Sequence, residues 1–134
     1  MAGSEKITAG QTLRLPGARV LVIEDEYFIA DDLCRTLDAA GAVVVGPVST
    51  LAKAKEAIAA GTFDCAVIDL NLHGESAVAL ADQLLAAGAS FAIATGYGSA
   101  AVPERLSHIP RIEKPFDPQA VVAALGELGC AQVR

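Results

Sequence analysis

The sequence predicts an α/β fold, a doubly wound five-stranded parallel sheet with five helices, and three observations carry that expectation. Short apolar or β-branched runs alternate along the chain with stretches of helical periodicity. Glycine and proline punctuate the junctions between them. The runs are nearly continuous in apolar residues rather than alternating with polar ones, as strands are when helices cover both faces of a parallel sheet. At 134 residues the chain suits one domain with a proper core and is too short for two.

Taken in order, residues 1–17, "MAGSEKITAGQTLRLPG", are polar and glycine-bearing and read as a flexible leader. The folded domain is expected over 18–130, with 131–134 as a short tail. "RVLVI" is the first strand and runs into Glu24, Asp25 and Glu26. In "YFIADDLCRTLDAAG" the apolar Phe28, Ile29, Leu33 and Leu37 recur at helical spacing, and Gly41 stops the helix. "AVVVGPVS" is the second strand, closed by Gly46 and Pro47, and Thr50 can cap the helix "LAKAKEAIAAG".

The run Cys65 to Ile68 is the central strand and ends abruptly in Asp69, followed by Leu70, Asn71 and the turn residues His73 and Gly74. "SAVALADQLLAAG" is a third helix, and "SFAIAT", ending in Thr95 before "GYG", is a fourth strand. A fourth helix is expected over "SAAVPERLS", where Pro103 suits a first turn better than an interior. "PRIEK" is a fifth strand ending at Lys114. "DPQAVVAALGELG" is the last helix, with Asp117 as N-cap and Pro118 at its first position.

Composition narrows the function. Hydrophobic residues make up 53% and charged ones 19%, so the chain can fold. A net charge of -6 and 4% aromatics argue against a nucleic-acid surface. Three scattered cysteines, Cys34, Cys65 and Cys130, form no CxxC pair and are odd in number, so reduced, mostly buried thiols in a cytoplasmic protein are expected. No stretch approaches the roughly 20 apolar residues of a membrane span, and no secretory signal is visible.

The strand ends carry the chemistry. In a flavodoxin-like order of 2-1-3-4-5, the first and third strands meet at the topological switch point, where ligands bind outside the carboxyl ends. Glu24, Asp25 and Asp69 then converge, and each like-charged pair at about 5 Å costs roughly 3 kcal/mol at an effective dielectric near 20. Such a cluster calls for a hard divalent cation, and Mg²⁺ takes one or two carboxylates while leaving room for a phosphate oxygen. Asp69 could then act as nucleophile toward a phosphoryl donor, with the Thr95 hydroxyl and Lys114 ammonium meeting the charge that develops. Singly, each residue has a plainer role: Asp69 as a helix cap, Glu24 and Asp25 as first-turn acids, Thr95 as a β-former, Lys114 as a solvated charge.

The motifs "VLVIEDE", "AVIDLNL", "ATG" and "EKPF" together resemble the receiver domain of bacterial two-component response regulators, from about Arg19 to Gly129. The resemblance implies Glu24 and Asp25 as metal-binding acids, Asp69 as the phosphorylated residue and Asn71 as the donor of a backbone carbonyl to Mg²⁺. It also implies Thr95 as the residue that follows the phosphoryl group, Lys114 as its contact, and a cis Lys114–Pro115 peptide. The family's usual aromatic three positions before the lysine is Arg111 here. Tyr97 is the candidate to take over its switch, since "FAIATGYG" is similar to the FATGUY subgroup of stand-alone receivers; the plainer reading is a surface tyrosine in a loop. His73, close in sequence to Asp69, could shape donor access or dephosphorylation, and its plainer reading is a histidine in a solvent-facing turn.

These features imply a stand-alone response regulator without a DNA-binding or enzymatic output domain, phosphorylated by a sensor histidine kinase or phosphotransfer protein. It would catalyse only its own phosphorylation and dephosphorylation, as a monomer or phosphorylation-dependent dimer, and act through protein contact or as a phosphate sink. Two alternatives stand beside it: a small Mg²⁺-dependent phosphatase, disfavoured by the lack of an aspartate two residues after Asp69, and a pseudo-receiver that binds partners without being phosphorylated.

Overall fold

A computed structural model of the protein describes residues 14–96 and 102–130. The elements are β1 (Arg19–Ile23), α1 (Tyr27–Ala39), β2 (Val43–Val48), α2 (Leu51–Ala60), β3 (Cys65–Asp69), β4 (Asn71–Leu72), β5 (Glu75–Ser76), α3 (Val78–Ala86), β6 (Ser90–Thr95), β7 (Arg111–Glu113) and α4 (Pro118–Glu127). Five strands form one parallel sheet in the order β2-β1-β3-β6-β7. With the small β4–β5 hairpin set aside, this is the expected 2-1-3-4-5.

Side chains alternate across the sheet and build two core layers. Cys65 and Val67 of β3 face a cluster with Leu33 and Leu37 of α1 and Val121, Val122 and Leu125 of α4. Ala66 and Ile68 face the other, with Ala54 and Ile58 of α2 and Leu80 and Leu84 of α3. Because β3 is central and buried along its whole length, a one-residue slip would exchange its side chains between two core layers packed for different shapes and displace Asp69 from the strand end. The main chain also fixes the end of β1: the Glu24 N–H donates to the Val48 carbonyl at 3.0 Å.

Caps form as expected at two helices. The Thr50 hydroxyl accepts from the Lys53 N–H at 3.2 Å, and Asp117 accepts from the Gln119 N–H at 3.0 Å. Ahead of both, β2 bends where its register with β1 shifts after Leu21. Gly46 occupies this bend with φ +100°, and a Cβ there would stand 2.9 Å from the Val48 nitrogen and 3.1 Å from the Val22 carbonyl oxygen. Backbone cannot retreat as a flexible side chain can. Gly46→Ala is therefore expected to lose about 2 kcal/mol of stability in urea unfolding, from strain and overlap together.

The structure corrects four expectations. The cysteines are not all thiols: Cys65 and Cys130 form a disulfide, with Cα atoms 5.9 Å apart, and Cys34 is free. Folding brings the start of β3 under the end of α4, a proximity that spacing along the chain does not encode. Of the expected fourth helix, residues 99–101 lie outside the described residues, and 102–107 hold a single 3₁₀ turn, Glu104–Leu106, so the described residues hold four α-helices; Pro103 lies just before the turn in an extended conformation. Leu15, counted in the expected leader, is fully buried, and its main-chain N–H donates to the Ala40 carbonyl at 2.7 Å. Phe28 is 78% exposed beside Tyr27 at 71%, because the buried stripe of α1 is Ala30, Leu33 and Leu37.

Candidate functional site

Strand ends supply every charged group of the site. Glu24 follows β1 and is buried at 2% exposure, while Asp69 closes β3 and Thr95 closes β6, each at 6%. Lys114 follows β7, and its main-chain N–H donates to the Thr95 carbonyl at 2.6 Å. That bond seats the lysine at the mouth of the neighbouring strand. Its Nζ donates to Asp69 Oδ2 at 2.6 Å and to Glu24 Oε2 at 3.0 Å. Nζ also lies 2.9 Å from Glu24 Oε1, so the one ammonium faces both oxygens of that carboxylate.

The remaining contacts are backbone amides. Glu26 N–H donates to Glu24 Oε2 at 3.0 Å, Asn71 N–H to Asp69 Oδ1 at 2.9 Å, and His73 N–H to Asp25 Oδ2 at 2.8 Å. The last bond spans 48 residues and was not legible in the sequence. The hairpin turn at His73 and Gly74 was visible there; its docking on Asp25 was not. The Lys114–Pro115 peptide is cis, as the resemblance implied.

Electrostatically the site is short of positive charge. Glu24, Asp25 and Asp69 each present an oxygen, all within 4.8 Å of one another, against the one ammonium of Lys114. Burial pushes the Glu24 carboxyl up to about 7, over the opposing pull of the Lys114 and Glu26 hydrogen bonds, and the charge of Asp69 adds to the rise. Burial would lower Lys114, but hydrogen bonds to Asp69 and Glu24 and the charges of both acids hold it above its usual range.

The donor set suits a hard cation. It is all oxygen, and its three carboxylates, when ionised, exceed the charge of Lys114 by two. The buried Thr95 hydroxyl oxygen lacks a partner among the described residues. A buried hydroxyl left unpaired costs free energy unless something binds there.

The structure thus brings Glu24, Asp25, Asp69 and Lys114 together and sets Thr95 at the adjoining strand end. Arg111 opens β7 and is exposed. Tyr97 lies outside the described residues. His73 is exposed, with Nδ1 3.8 Å from Asp25 Oδ2. Among the described residues no helix is long and apolar enough to cross a membrane.

Neither a scan against protein-family models nor a search of curated proteins finds a match. Solved structures do match. The chain is similar to SdrG from Sphingomonas melonis Fr1, at 34% identity and a TM-score of 0.74, over 84% of this chain and 96% of that one. It is similar to the REC domain of the PhyR response regulator from Erythrobacter litoralis, at 25% identity and a TM-score of 0.70, over 84% of this chain and 90% of that one. The response regulator PhyR from Brucella abortus matches at 26% identity and a TM-score of 0.69, over 86% of this chain and 49% of its own. By its sheet order, and by its likeness to SdrG along nearly the whole of that protein, this chain belongs to the receiver domains of response regulators.

Proposed function

We propose that the protein is a stand-alone response regulator that accepts a phosphoryl group on Asp69 from the phosphohistidine of a sensor histidine kinase or phosphotransfer protein. The observation that carries this reading is the placement of Asp69: at the carboxyl end of the central strand, inside an acid trio, with Lys114 Nζ 2.6 Å from its Oδ2. Glu24, Asp25, Asp69 and the Asn71 main-chain carbonyl are the residues that would hold Mg²⁺. Bound Mg²⁺ would supply charge neutralisation at the phosphoryl oxygens.

Asp69 forms the new bond through a carboxylate oxygen to phosphorus as the phosphorus–nitrogen bond of the donor breaks and the imidazole leaves. Lys114 holds the nucleophile in place and meets the negative charge on the transferred group. The unpartnered Thr95 hydroxyl is the natural donor to a phosphoryl oxygen, which would satisfy it. Tyr97, two residues on, is assigned the aromatic switch role that Arg111 cannot fill, as in the FATGUY subgroup. Output is contact with a further protein or drainage of phosphate from a shared kinase.

Intact-protein mass spectrometry after incubation with acetyl phosphate and Mg²⁺ tests the reading. A gain of one phosphoryl mass, absent in Asp69→Ala and with EDTA, is expected. Repeated turnover of an aryl phosphate would instead favour a phosphatase. No adduct after a rapid quench would favour a pseudo-receiver.

A further inference from the structure

The hairpin that follows β3 is built as a rigid loop. Asn71 pairs with Ser76 and Leu72 with Glu75, leaving His73 and Gly74 as a two-residue turn. Both take positive φ, 53° and 81°, as in the type I′ turn, whose twist matches the strands it joins. Leu72 is buried in the core, and the Ala77 N–H donates to the Leu70 carbonyl at 2.7 Å, so the base is anchored. The Gly74 N–H donates to Asn71 Oδ1 at 3.0 Å and braces the turn. From this loop two amides reach the acids of the site: Asn71 to Asp69, His73 to Asp25. An amide on one carboxylate oxygen fixes the group's orientation and leaves its other lone pairs free.

We propose that this hairpin is the positioning element of the cation site, with the His73 main-chain N–H setting the orientation of Asp25. The proposal rests on the cation-assisted reading above. Its working group is the amide and not the imidazole, whose Nδ1 stands 3.8 Å from Asp25 Oδ2, beyond hydrogen-bond reach. Cation affinity should therefore follow the conformation of the turn. The side chain at 73 should matter only through its tolerance of positive φ.

A Cβ at residue 74 would meet nothing within 4 Å, so substitution there acts through the backbone alone. In Mg²⁺ titrations followed by NMR, Gly74→Val should bind about tenfold more weakly than the parent, the scale on which groups that orient metal ligands act. Strain at positive φ costs about 1–2 kcal/mol, so its Tm should fall by several degrees while unfolding stays a single transition. His73→Asn keeps the amide and suits positive φ, so its affinity should stay within about twofold of the parent's. Parent-like affinity in Gly74→Val overturns the proposal, as does a loss in His73→Asn as large as that in Gly74→Val.

Amide exchange at His73 reads the contact without metal: it should quicken by about tenfold in Asp25→Ala. No change there removes the contact and the proposal together, whatever the cation reading. A parent that binds no Mg²⁺ although Asp25→Ala quickens the exchange defeats the cation reading, and through it the proposal, while leaving the contact standing.

Discussion

Replacing Cys130 with alanine is expected to lower the unfolding free energy by about 4 kcal/mol. The disulfide joins residues 65 apart in sequence, and closing a loop of that size in the unfolded chain accounts for about that much stabilisation. For a domain of this size the loss corresponds to a fall in Tm of roughly 10–15 °C. The bond also pins the end of α4 to the first residue of the central strand, where both cysteines are buried. Dithiothreitol should lower the parent's Tm by a similar amount and leave Cys130→Ala unmoved. Alkylation of the unfolded, unreduced parent should label only Cys34. Labelling of all three cysteines would show that the bond does not form.

The second large effect is expected at Lys114. Among the described residues its ammonium is the one cation touching Glu24 and Asp69, both buried, and removing one partner of a buried ionic group strands the others. Lys114→Met should cost about 3 kcal/mol at pH 8 in the presence of EDTA. The cost should shrink at pH 6, and the sign follows from Glu24. Its carboxyl stands at about 7 in the folded protein, above its ordinary 4.5, so its contribution to stability is full below about 4.5 and is lost as pH rises through about 7. Below pH 7 the variant's Glu24 can take up a proton and needs no cation. Urea unfolding of parent and variant at both pH values checks this; an equal loss at pH 6 and pH 8 would remove Glu24 from the explanation.

Much of the site was legible in the sequence, because its residues sit at the ends of strands whose own composition marks them. An unbroken run such as "CAVID" belongs to a buried strand, and the first acid after it must stand at the carboxyl end. Alternating strands and helices then leave few topologies, and the switch point gathers Glu24, Asp25 and Asp69 without further information. Contacts between parts distant in sequence were less visible. Cys65 and Cys130 pair because α4 ends over the start of β3, and the His73 amide meets Asp25 because a two-residue turn folds back across the site.

Helical periodicity also misjudged a boundary case. Phe28 continues the apolar spacing of α1, yet it stands one position off the stripe that faces the sheet and is exposed. Pro103 and its neighbours carry helix-forming residues, but the chain there makes only one 3₁₀ turn, held by buried Leu106 and by the paired hydrogen bonds of Arg105 to Asp82 at 2.9 Å each. A short segment anchored at two points has no need of a full helix.

The most direct test of the account locates the phosphoryl group. Protein phosphorylated with acetyl phosphate and Mg²⁺, then treated with borohydride, carries homoserine in place of a phosphorylated aspartate and the one-carbon-longer δ-hydroxy residue in place of a phosphorylated glutamate, and peptide mass spectrometry reads the position. The account predicts conversion at Asp69 alone, lost in EDTA and strongly reduced in Lys114→Met. Conversion at Glu24 or Asp25, or an unmodified Asp69 under the same treatment, would contradict it.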